Sequence, residues 1–330
     1  MKKDIKVAVL LYGFLRTADL TVGSLIRNVV DVNNADIFYF GPDSSDSPTQ
    51  IHKGILDSSG FVKINPKGEA HEIPCGIEDK LVSIYGDKLR NYKLHYKKFD
   101  DFNEQTSFVD KNEYLFNLNP ARFVSMFYNM QGAYELMNEY EEKQNFRYDV
   151  IIITRPDLSF YAPVSAKNIR HGYVYIPAGE GFCPHTGNRN IGLSQVLPYR
   201  NRSEGKMVPS GVGFNDQLLV LTGKTASCME NLLDSVLMYM REKVPLTPET
   251  LLYYHLVVNN HLKVQYIMEW PYEIVRSDDV ETITVTDLMI MDLIDKYHPV
   301  VKARISRHPI KYLFKYGRIR WRAFVNRYLR

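Results

Sequence analysis

Residues 148–161 read YDVIIITRPDLSFY. The aliphatic run Val150–Ile153 does not alternate with polar residues, the pattern of a strand covered on both faces, as in the parallel sheet of an α/β domain. Pro156 has no N–H and holds Arg155 extended, so pairing is expected to stop there and Arg155 and Asp157 to emerge together at the carboxyl end of the strand. In open α/β sheets that end is where ligands bind. A strand edge carrying a solvated Arg–Asp pair fits the same spacing, and both readings stand.

Upstream, Ala121–Lys143 carries Phe123, Phe127, Met130, Tyr134 and Met137 at spacings of three and four, one apolar face of a helix. Asn119-Pro120 supplies its start, and Glu141, Glu142 and Asn145 mark its exit into the strand, which makes an α–β unit. Further strands are expected at Lys6–Tyr12, Ala35–Phe40, Tyr173–Ile176, Leu218–Leu221 and Lys263–Met268. Thr247-Pro248-Glu249 opens another helix, with Thr247 as N-cap, Pro248 at the first helical position and Glu249 favoured by the dipole. Alternating strands and helices describe a mostly parallel α/β sheet rather than a sandwich. Residues 43–116 are irregular and rich in Ser, Asp, Lys and Tyr, and read as a variable insertion outside the sheet core. Residues 178–214 hold seven glycines and no long periodic pattern. A loop of that length inside a compact domain is functional or disordered.

The chain has 330 residues, enough for one large domain or two ordinary ones, and its 45% hydrophobic and 24% charged residues exclude disorder as the default. No apolar stretch approaches the roughly 20 residues of a membrane span. The start, MKKDIKVAVLLYGF, has an apolar run too short for export and no small-residue cleavage site, so it reads as the first strand. Cys75, Cys183 and Cys228 are odd in number, scattered, and without C-x-x-C spacing. They argue against a disulfide framework or a zinc site and for a reducing compartment, hence a cytoplasmic location.

The net charge of +3 hides a polarity along the chain. From Lys302 onward there are ten Lys or Arg and no acid, leaving 31 basic against 38 acidic side chains before it, a net of −7. In 308–330, HPIKYLFKYGRIRWRAFVNRYLR, residues Ile310, Phe314, Trp321, Phe324 and Tyr328 share a helical stripe beside Lys311, Lys315, Arg318 and Arg322. A basic amphipathic helix with Trp and Phe is expected to bind an anionic membrane surface, on the order of 1 kcal/mol per basic residue. The interleaved aromatics also suit stacking on nucleic acid, which the acidic body disfavours, so no nucleic acid is expected. Docking of this helix on the chain's own domain is the third reading.

The first βα turn, LLYGFLRT, places Gly13 straight after a buried strand and Arg16 three residues on. A glycine there lets the backbone approach a ligand, and the arginine can pair with phosphate; a helix-packing turn with a surface charge is the plainer reading. Neither G-x-G-x-x-G nor G-x-x-x-x-G-K-[ST] is present, which weighs against dinucleotide binding and P-loop hydrolysis. Asp157 at a strand end suits Mg²⁺ or Mn²⁺ beside a nucleotide diphosphate, with Arg155 adding charge against the leaving diphosphate. In GVGFNDQLLVLTGK, 211–224, Asp216 can serve as the general base that takes a proton from an acceptor hydroxyl, or can cap a turn in which Asn215 satisfies backbone groups. His171, His185 and His255 lack metal-site spacing, and no G-x-S-x-G or Cys/His pattern is present.

The segments YGFLRT, ADIFYF, SMFYNMQGAYELMNEYEEKQNFRYDVIIITRPDL, FNDQLLVLTG and TPETLLYYHL together resemble the bacterial and viral GT-A-like glycosyltransferases that build surface polysaccharides. The similarity spans roughly residues 5–270. It implies a GT-A-like catalytic domain over 1–270, with the insertion 43–116 and the active-site loop 178–214, followed by a helical extension, 271–330. It implies sugar transfer from a nucleotide-diphosphate donor to a surface-glycan or lipid-linked acceptor, with Gly13, Arg16, Arg155, Asp157 and Asn215 on the donor, Asp216 as base of an inverting reaction, and Asp157 on a divalent cation. The family's metal motif is D-x-D; here Arg155 occupies its first position, and the arginine can take over part of the cation's role. The tail would hold the enzyme on the inner face of the plasma membrane. A non-catalytic nucleotide-sugar or glycan-binding module and a sugar-nucleotidyltransferase are the alternatives.

Overall fold

The computed structural model describes residues 5–44, 76–110, 119–177, 214–244, 246–267, 269–270 and 272–274, with the backbone of short strands at 181–182, 189–190, 199–201 and 206–208. The remainder of the 178–214 loop, Cys75, Cys183, His185 and the basic tail lie outside the described residues.

The aliphatic runs form the centre of a seven-stranded sheet. β1 (Val7–Tyr12) and β4 (Val150–Thr154) are buried along their whole length and pair in parallel, from Val7 opposite Val150 to Leu11 opposite Thr154. β2 (Asp36–Pro42) pairs in parallel with the other side of β1, and β3 (Leu89–His95) with β2. β5 (Leu158–Phe160) leaves the sheet. β6 (Tyr173–Pro177), β7 (Leu218–Thr222) and β8 (Lys263–Ile267) complete it in the order β8-β6-β7-β4-β1-β2-β3. The sheet is mostly parallel, as expected for the α/β class, but β7 runs antiparallel to both β4 and β6. β9 (Tyr272–Ile274) pairs with β5 outside it.

Unalternating strands make sense because both faces are covered. Ala8, Leu10, Tyr12, Ile151 and Ile153 point into one core with α3 (Ala121–Gln144), α4 (Leu232–Arg241) and α5 (Pro248–Tyr253). Val7, Val9, Leu11, Val150 and Ile152 point into the other with α1 (Ala18–Leu25) and α2 (Ile77–Tyr85). α3 buries the expected Phe123, Phe127, Met130, Tyr134 and Met137, and it ends at Asn145 in the left-handed conformation before entering β4. The cap of α5 is the expected one: the Thr247 hydroxyl accepts from the Thr250 N–H at 3.2 Å.

One reading is corrected. Within 43–116, residues 89–95 are an edge strand of the main sheet rather than lying outside it. LRNYKLH shows no clean alternation because an edge strand is half exposed, and its Arg90 and Lys93 suit a free edge. Among the described residues no helix is long and apolar enough to cross a membrane.

Candidate active site

The chain runs β1 to β2 to β3 on one side of β1 and returns through α3 to β4 on the other. The carboxyl ends of β1 and β4 therefore flank the topological switch point, where a crevice opens in α/β sheets. Because β7 is reversed, its amino end joins them: Leu218 lies opposite Thr154. This registry gathers Gly13 and Arg16, Arg155 and Asp157, and Asn215 and Asp216, six residues from three distant segments, at one edge.

Gly13 turns the chain with φ +87, a left-handed conformation that favours glycine. Its N–H donates to the Phe40 carbonyl at 3.0 Å and its carbonyl accepts from the Tyr39 hydroxyl at 2.7 Å. Arg16 follows with φ 45, uncommon for a side chain of this size, and such strain persists where the surroundings hold it. What holds it is Asp157: Arg16 Nη1 donates to Asp157 Oδ2 at 3.0 Å.

Asp157 is 1% exposed and grips a second guanidinium, Arg155 Nε to Oδ1 at 2.9 Å and Nη2 to Oδ2 at 2.6 Å. The freely solvated Arg–Asp pair is thus overturned: Asp157 is buried and Arg155 is partly so. Burial disfavours the Arg155 charge, but the Asp157 carboxylate outweighs it and holds the guanidinium above its usual range. Arg122, on the first turn of α3, is a third guanidinium nearby, pushed down by partial burial, against Asp100, and by the charge of Arg16.

The expected metal role of Asp157 does not fit this donor set. Both its oxygens accept from guanidinium groups, so an incoming divalent ion would meet two positive charges and a carboxylate already in use. Among the described residues no group of three or more His, Cys, Asp or Glu side chains gathers as metal ligands.

Asn215 is fully buried. Its carbonyl accepts from the Gln217 and Leu218 N–H groups at 2.6 and 3.0 Å, and its amide donates to the Tyr272 hydroxyl at 2.6 Å. It builds the turn, as the plainer sequence reading has it. The Tyr272 hydroxyl in turn donates to Gln217 Oε1 at 2.9 Å, and the Tyr12 hydroxyl donates to the Asp216 carbonyl at 2.6 Å.

These bonds aim the backbone but leave the Asp216 carboxylate apart. Asp216 Oδ1 and Thr154 Oγ1 are buried and have no hydrogen-bond partner among the described residues, an arrangement that calls for a reason at a sheet edge of this kind. Burial pushes the Asp216 carboxyl up to about 6 against the opposing pull of Arg155. Burial and then the charge of Asp216 push Glu249, at the start of α5, up to about 8. The two carboxyls titrate as a pair.

Tyr12, Arg122, Glu249 and Tyr272 are site groups that the sequence reading does not single out for chemistry. Tyr12 is flagged only by preceding Gly13, and Glu249 only by the helix cap. No protein-family model matches the sequence, and comparison with curated proteins gives no match.

Proposed function

We propose that the chain is a glycosyltransferase of the GT-A-like kind, moving a sugar from a nucleotide-diphosphate donor to a glycan or lipid-linked acceptor. The observation that carries this reading is the part-buried arginine pair on the buried Asp157 at the switch point, beside a buried carboxyl, Asp216, whose pKa is raised and whose Oδ1 has no partner among the described residues. A diphosphate over the Gly13 turn would meet backbone at close range and the charge of Arg16, Arg155 and Arg122. Such fixed charges act where the leaving group gains its own, and Asp157 holds two of them in place beforehand.

The acceptor hydroxyl attacks the anomeric carbon as its proton passes to Asp216, and the carbon–oxygen bond to the diphosphate breaks with its electrons leaving on the nucleotide diphosphate. A base whose pKa lies near the operating pH suits that step. Attack opposite the leaving group inverts the anomeric centre. Arginines, rather than a divalent ion, carry the leaving charge in this scheme.

The test is a panel of UDP-, GDP- and CMP-sugars, screened by thermal shift and then for transfer and hydrolysis, with and without EDTA. Expected are binding and turnover of one donor, both surviving EDTA, and an Asp216→Asn enzyme that binds this donor yet transfers roughly 10²-fold or more slowly. Binding without turnover favours a non-catalytic binding module. No binding of any donor, or a retained anomeric configuration, overturns the scheme.

A further inference from the structure

A polar cavity lies at the end of the sheet opposite the candidate active site. Thr222 lies opposite Val150, and the Gly223 N–H donates to the Asp149 carbonyl at 2.9 Å, so the residues after β7 sit at the amino end of β4. Leu218 and Thr222 are four steps apart, which separates the two edges by about 13 Å. His171, just before β6, and Leu262, just before β8, close on the same place. The cavity is about 400 Å³ in volume. That size admits a small metabolite.

Its lining has one sign. Lys224 is exposed there, with the side chains of Asn231 and Asn259, and among the described residues no carboxylate lines it. His171 is held through Nδ1 by the Thr225 hydroxyl at 3.0 Å, which leaves Nε2 to meet a ligand. The same hydroxyl accepts from the Gly172 N–H at 3.1 Å, so the ring sits on an ordered mount.

Two other uses fail on geometry. A metal would need His255 and Cys228, yet His255 Nδ1 contacts the Tyr239 hydroxyl at 3.1 Å and Nε2 the Cys228 carbonyl at 2.8 Å, so neither nitrogen is available. Burial pushes the Cys228 thiol up to about 12, which disfavours it as a free thiolate nucleophile. An ammonium, an imidazole and amide donors around an open cavity are what an oxyanion needs. A lysine ammonium is a compact point charge with three donors that can meet the oxygens of a phosphate from any direction.

We propose that the cavity lined by His171, Lys224, Asn231 and Asn259 binds the phosphate group of a small phosphorylated metabolite. The site is separate from the donor reading and holds whether or not that reading does. Its test is a titration of the full chain, ¹⁵N-labelled at histidine, with inorganic phosphate at constant ionic strength, following the His171 ring by NMR. Expected are saturable shifts at His171, weakened roughly tenfold or more in Lys224→Gln and unchanged in Asp216→Asn. Lys224 is exposed, so its substitution should leave the fold intact. Shifts that chloride reproduces, shifts that persist in Lys224→Gln, or an unresponsive His171 overturn the proposal. Acetate binding as tightly as phosphate overturns the assignment to phosphate.

Discussion

Asp157 shows how one buried carboxylate can organise a site. Replacing it with alanine does more than remove a ligand contact, because Arg155 would be left part-buried without its partner. Breaking a fully buried pair costs about 3–5 kcal/mol, and water still reaches these guanidinium groups, so Asp157→Ala is expected to lose less than that, yet measurably, in denaturant unfolding. Arg155→Met combined with Asp157→Leu should lose clearly less than Asp157→Ala, and equal losses would show that the pair is not coupled. The Asp216 and Glu249 carboxyls give a pH dependence with a definite sign. Their folded pKa values, about 6 and about 8, lie above those of free carboxyls, so the folded chain holds protons that the unfolded chain has released. Stability from these groups is complete below about pH 4 and is lost as pH rises through the folded values. The difference in unfolding free energy between Glu249→Gln and the native chain should therefore grow, in favour of the variant, from pH 5 to pH 9. A difference that stays constant with pH would sink the assignment.

At the scale of elements, Gly132 lets α3 approach the sheet closely at Phe40. A Cβ added there would lie 2.6 Å from the Phe40 ring, closer than side chains pack. Gly132→Ala should push α3 off β2 and cost about 1–3 kcal/mol, read from the denaturant midpoint. Unchanged stability would mean that Phe40 swings aside freely. The same close approach explains why α3 tolerates a poor helix former in its middle. The β5–β9 pair acts differently: it carries Tyr272 from the far end of the described chain to the Asn215 turn, and so ties the site to a segment 57 positions away.

For the whole molecule, the separation of charge between an acidic body and the ten basic residues after 301 predicts behaviour at a surface. The full chain should bind vesicles of anionic lipid at low salt and release as salt shortens the Debye length towards about 8 Å at physiological strength. Truncation after Pro299 should abolish this binding while leaving donor binding unchanged. A full chain that ignores such vesicles at low salt, or a truncated chain that fails to fold, would make the tail a packed part of the domain.

The local patterns were legible in the sequence. Val150–Ile153 as a strand buried on both faces, the α3 face from Phe123 to Met137, the Thr247 cap and the glycine after β1 all follow from periodicity and backbone preference, which act over a few residues. The carboxyl end of β4 as a place of interest followed from Pro156. Tertiary structure decided the rest. Arg16 and Asp157 are 141 positions apart, and only the parallel pairing of β1 with β4 makes them an ion pair instead of two surface charges. The reversal of β7, which carries Asp216 to the same edge, and the approach of Glu249 to it are also choices between distant segments. So is the use of polar LRNYKLH as an edge strand. Such choices are made by how much surface two segments bury against each other, and neither segment records that alone.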